Sequence, residues 1–171
     1  EEANLRRVGT VEREITAVAV LAARMADGSL PPAPVWGDIT TFPTDLFRGR
    51  IDLVVGGPPC QDISNAGRRA GLAGERSGFF FDFVRVAGAV GARFIFVENV
   101  AALLVRPDFD TVLGTLADAG YDAAWLRLPA AAVGAPHRRE RVFILAVADP
   151  RCRGDQRWGD AGDVPCEAET S

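Results

Sequence analysis

Short apolar runs of strand length alternate along this chain with longer stretches whose apolar residues recur at helical spacing, and that order limits the fold more than any other feature. It predicts an α/β domain with a largely parallel sheet of the Rossmann-like type, since each return to a parallel neighbour needs a crossover long enough to hold a helix. Strands are expected over Arg7–Glu12, Ile51–Val55, Phe94–Val97, Ala123–Leu128 and Arg141–Val147, with Val35 and Trp36 forming a further short run before Asp38. Helices are expected over Ile15–Met25, Phe79–Val90 and Asp108–Ala119, and Gly28 and Gly120 are natural stops for the first and last.

A chain of 171 residues suits one domain with a real core. The longest apolar runs, Ile51–Val55 and Phe94–Val97, fall far short of the roughly 20 residues that cross a bilayer, so no membrane span is expected. Three scattered cysteines, Cys60, Cys152 and Cys166, cannot form a disulfide framework or a four-ligand zinc site, and they suit a reducing, cytoplasmic setting. Net charge is −4, which argues against indiscriminate binding to polyanions. Every basic residue is arginine, and the pairs Arg68-Arg69 and Arg138-Arg139 suggest focal contacts instead. From Asp149 to Ser171 the periodicity fades into Gly, Asp and Arg, so residues 1–148 read as the domain and 149–171 as a linker or the start of a further region.

In open α/β sheets ligands bind beyond the carboxyl ends of strands, and three polar positions fall there: Glu12, Cys60 and Glu98. The run Ile51–Val55 meets Gly56-Gly57-Pro58-Pro59, which cannot continue a strand, and Cys60 follows in a stiff turn where a thiolate could attack a substrate. Taken alone, a cysteine is more often a buried structural residue. Glu98 follows an apolar strand, a place where a carboxyl group can hold a proton for chemistry, although most such glutamates are merely solvated. Glu12 and Asp38 stand where a carboxylate can accept hydrogen bonds from a nucleotide, yet no Gly-x-Gly-x-x-Gly fingerprint precedes Glu12.

Four segments in order carry a more specific message: Gly56-Gly-Pro-Pro-Cys-Gln-Asp-Ile-Ser-Asn-Ala-Gly67, Glu75-Arg-Ser-Gly-Phe-Phe80, Phe96-Val-Glu-Asn-Val100 and Gly134-Ala-Pro-His-Arg-Arg-Glu-Arg-Val-Phe143. This series resembles the motifs of DNA cytosine-5 methyltransferases, from about Val8 to Val147. The resemblance implies that Cys60 is the nucleophile adding to carbon 6 of cytosine, that Glu98 binds the ring nitrogen and exocyclic amine, and that Arg139 and Arg141 hold the base and the catalytic loop. It implies S-adenosyl-L-methionine as methyl donor, with Glu12 on the ribose hydroxyls, Asp38 and Ile39 at the adenine, and Pro59 and Phe79 beside the cofactor. Gln61, Ser64, Arg68 and Arg69 would meet nucleic acid. The implied partner is double-stranded DNA with a flipped cytosine, and the implied enzyme is a monomer of the kind that serves in restriction-modification systems.

The family's opening Phe-x-Gly-x-Gly loop has no counterpart before Glu12, and its target-recognition region and closing motif are also missing, so a partial catalytic domain is expected. Two other functions stay open from sequence: an RNA cytosine-5 methyltransferase of the same fold, and a non-catalytic remnant that keeps the fold without cofactor.

Overall fold

The computed structural model describes residues 5–59, 78–105 and 108–149. Two sheets run through it. A small one pairs β1 (Thr10–Val11) with β2 (Val35–Trp36) in parallel, the two joined by helix α1 (Ile15–Ala26). The larger has four strands in the order β3 (Leu53–Gly56), β4 (Phe94–Val100), β6 (Glu140–Ala148), β5 (Tyr121–Pro129). Between β2 and β3 lie a 3-10 turn, Ile39–Thr41, and the four-residue helix α2 (Thr44–Phe47); α3 (Phe79–Val90) precedes β4 and α4 (Asp108–Asp118) precedes β5.

The sheet is mixed rather than largely parallel. β3 and β4 are parallel, but β6 runs antiparallel to both β4 and β5. Only a 3-10 turn at Ala130–Val133 and a short loop separate β5 from β6, and so short a connection closes a hairpin but cannot make a parallel crossover. The α/β class stands.

The core lies on one face of the larger sheet. Along β4, Ile95, Val97 and Asn99 point inward, and Val142, Ile144 and Ala146 do so on β6. Two helices cover this face. α3 places Phe80, Phe83, Val84, Ala87 and Val90 on its buried side, three and four residues apart, and ends at Gly91 in the left-handed conformation at φ 74°. α4 adds Phe109, Val112 and Leu116, with Phe109 set edge-on against Trp125 of β5. The Tyr121 hydroxyl donates to the Ala92 carbonyl at 2.8 Å, closing the base of the core. On the opposite face Phe96 stacks on Phe143, and Leu145 and Val147 remain substantially exposed. None of the described helices is long and apolar enough to cross a membrane.

Helix α1 forms where its helical spacing predicted, but it buries no residue. Its amino end is capped by Glu14, whose carboxylate accepts from the Thr16 amide.

Candidate active site

A cavity of about 1030 Å³ opens between β1 and β3. The unbroken stretches Leu5–Arg13 and Arg50–Pro59 form its two walls, and Asp38, Ile39, Phe79 and Phe83 also line it. All five residues expected at a cofactor, Glu12, Asp38, Ile39, Pro59 and Phe79, line this one space. They come from four separate segments, so their convergence is a product of the fold.

Two carboxylates mark one side. Glu12 follows β1, where its amide donates to the Trp36 carbonyl at 2.9 Å and its Oε1 accepts from the Glu14 amide at 2.8 Å. Asp38 caps the 3-10 turn: its Oδ1 accepts from the amide and the hydroxyl of Thr40 at 2.9 and 2.8 Å. The Thr40 amide, then its hydroxyl, hold the Asp38 carboxyl below its ordinary range, with nearby Arg13 adding a smaller effect. In each case the other carboxylate oxygen makes no bond among the described residues, which suits a ligand that presents hydroxyl or amine donors. Arg85, held by Asp82 at 3.0 Å, also donates to the Ile39 carbonyl and so moors the turn bearing Asp38 to helix α3.

The strand-end region adjoins the Gly56–Pro59 part of this lining, although Glu98, Arg139 and Arg141 do not themselves line the cavity. Glu98 was expected just past its strand, but β4 continues through Val100 because β6 pairs with it that far, Glu98 opposite Phe143 and Val100 opposite Arg141. Glu98 therefore sits on a rigid ladder. Alternation turns it to the face opposite the core, where its Oε1 meets Arg141 Nε at 2.5 Å. Arg141 is the more covered of the two and also donates to the Glu140 carbonyl. Arg139, expected to share this task, stands exposed just before β6, with its carbonyl accepting from the Ala130 amide.

The loop Gly57-Pro58-Pro59 lies against this strand. A Cβ on Gly57 would sit 3.3 Å from both the Glu98 carbonyl and its Oε2, so glycine permits the close approach. Asn99, buried on the core side, donates from Nδ2 to the Pro58 carbonyl at 2.8 Å. In the sequence Gly56 and Gly57 stood out only as the end of a strand and Asn99 only as the structural neighbour of Glu98, while Arg13 and Phe83 did not stand out at all. Gly56 abuts the Phe83 ring so closely that an added Cβ would fall 2.6 Å from it, and nothing short of the fold would reveal that contact. Cys60, Gln61, Ser64, Arg68 and Arg69 lie outside the described residues.

A family model for C-5 cytosine-specific DNA methylases matches residues 1–154. The chain belongs to this family. Among curated relatives, the type II methyltransferase M.CviJI of Paramecium bursaria Chlorella virus IL3A is 33% identical over 140 residues, 82% of this chain and 37% of the relative. The type II methyltransferase M.Eco47II of Escherichia coli is 32% identical, over 73% of this chain and 32% of the relative. This methylase chain thus spans about a third of the length of the curated relatives it matches. Solved structures agree on the fold: DNMT2 of Spodoptera frugiperda superposes with a TM-score of 0.66 at 17% identity, covering 85% of this chain and 44% of that one. The Dnmt2 methyltransferase of S. pombe gives 0.63 at 22% identity, covering 84% and 43%.

Proposed function

We propose that the chain is the catalytic portion of a DNA cytosine-5 methyltransferase using S-adenosyl-L-methionine. The carrying observation is that Glu98, paired with Arg141, lies in contact with the loop that runs directly into Cys60. A nucleophile and a group that grips a ring edge must converge on one planar base, and a strand packed against the segment preceding Cys60 supports that reading.

Carbon 5 of cytosine is too weak a nucleophile to take a methyl group unaided. In the proposed mechanism the Cys60 thiolate bonds to carbon 6, and the displaced ring electrons make carbon 5 carbanion-like, which divides one hard step into easier ones. Glu98 accepts from the exocyclic amine through one oxygen and, carrying a proton on the other, donates to nitrogen 3 where negative charge accumulates, while Arg141 holds the group in place. S-adenosyl-L-methionine, when bound, supplies the electrophilic methyl group. Carbon 5 would take that methyl group, leaving the donor as its neutral thioether, and passage of the carbon 5 proton to a water molecule would then let the Cys60–carbon 6 bond break and restore the thiolate. Glu12 would accept from the ribose hydroxyls and Asp38 from the adenine amine, with Ile39 and Phe79 against the apolar parts. The base reaches the pocket only when flipped from the duplex, at a cost of a few kcal/mol. The enzyme is read as a monomer, with Gln61, Ser64, Arg68 and Arg69 toward DNA and Arg139 toward the base.

DNA carrying 5-fluorocytosine tests the reading, because fluorine at carbon 5 cannot leave as a proton does and the adduct persists. Peptide mapping should place the adduct on Cys60. An adduct on Cys152 or Cys166, or duplex DNA ignored in favour of RNA, would overturn it.

A further inference from the structure

The strand that carries Glu98 also carries, one residue on and facing the other way, a buried amide that reaches a different element. Asn99 is 7% exposed, and both ends of its side chain are engaged: Oδ1 accepts from the Val100 amide and Nδ2 donates to the Pro58 carbonyl, each at 2.8 Å. Those two bonds fix which end of the amide is which.

Pro58 and Pro59 have no N–H, so two successive residues before Cys60 bring acceptors and no donors. A loop so built cannot brace itself through its own amides, and its buried carbonyl needs a donor from elsewhere. Asn99 supplies it. One residue earlier, Gly57 rests on Glu98 with no room for a side chain to move comfortably between them. Alternation along β4 thus sends Glu98 to one side of the loop and Asn99 to the other.

We propose that Asn99 is a positioning residue that locks the Pro58-Pro59 segment to the strand bearing Glu98, so that the nucleophile's loop and the base-gripping carboxylate are held as one unit. The proposal rests on the reading of Cys60 as nucleophile.

Two substitutions separate this role from mere packing. Asn99→Leu removes the donor at similar volume. Asn99→Asp keeps the shape: ionised, its carboxylate repels the Pro58 carbonyl, but once protonated its O–H can donate in place of the lost amide. Burial disfavours the charged form and brings that protonation within reach of mild acid. In the 171-residue chain labelled with ¹³C at the Pro58 carbonyl, the wild-type resonance should reflect an accepted hydrogen bond. It should move upfield in Asn99→Leu at every pH. In Asn99→Asp it should move upfield at neutral pH and return on acidification, while the amide signals of Val97 and Ile144 stay in place. In the form of the protein that methylates DNA, Asn99→Leu should lower single-turnover methyl transfer by tenfold or more, with KM for DNA changed less than about twofold. An unresponsive Pro58 carbonyl would overturn the tether, as would core amides that shift together with it. Wild-type turnover in Asn99→Leu would overturn the role. Failure of the wild type to methylate at all would strike the proposed function and leave the carbonyl measurement standing.

Discussion

Glu98 and Arg141 form a pair in which each constrains the other: the carboxylate sits on a paired strand, and the guanidinium that meets it is largely covered. Glu98→Gln keeps the shape but weakens the grip on a ring nitrogen that gains negative charge. Single-turnover methyl transfer should fall by roughly two or more orders of magnitude, the scale at which acid–base assistance is lost. A near-normal rate with unchanged melting would reduce Glu98 to a surface ion pair. Gly56 offers a sharper steric test. An alanine there would drive its methyl group into the Phe83 ring, and overpacking of this kind costs about 1–3 kcal/mol. Chemical denaturation of Gly56→Ala should show that loss, and pairing it with Phe83→Leu should recover part of it. Asp38 predicts a pH effect whose sign follows from its lowered carboxyl. Its contribution is present above the ordinary aspartate range and disappears as acid protonates the folded form. Asp38→Asn should flatten the acid limb of the melting profile, and an unchanged limb would show that Thr40 gives the carboxylate no advantage in the folded state.

Elements legible in the sequence were those whose own pattern decides them. α3 appears at its expected ends because five apolar residues share one face and Gly91 stops it, and α4 departs by one residue. Strand ends depended on partners that the sequence could not display. β4 runs three residues beyond expectation because β6 pairs with it as far as Arg141, and β1 shrinks to Thr10–Val11 because only the two residues of β2 pair with it. The four-residue α2 and the 3-10 turns are too short to show any periodicity. The candidate site divided the same way. Its carboxylates stood out beside recognisable strands, whereas the contacts of Gly57 with Glu98 and of Asn99 with Pro58 join residues some 41 positions apart. The closure of the core beneath β5 is testable at this scale: Tyr121→Phe removes the bond to Ala92 and leaves its carbonyl without that donor, which should cost on the order of 1 kcal/mol. No measurable loss would mean that water replaces the hydroxyl.

At the scale of the whole molecule the described chain is unevenly anchored. The four-stranded sheet carries the core, while α1 buries nothing and the small sheet has two residues in each strand. Local opening follows buried contact, so amides of α1 and β1 should exchange with solvent well before those of β4 and β6, by hydrogen-exchange mass spectrometry. Uniform exchange across both parts would contradict this. The cavity takes one wall from each of these unequal parts. A ligand that grips both walls therefore acts as a thermodynamic staple, and its binding energy is repaid as folding energy for the weaker half. At a hundred times its dissociation constant such a ligand adds about 2.7 kcal/mol to the state that binds it. Heat should thus separate the two halves in its absence and melt them together in its presence, so that occupancy is recorded in the cooperativity of unfolding as well as in its temperature.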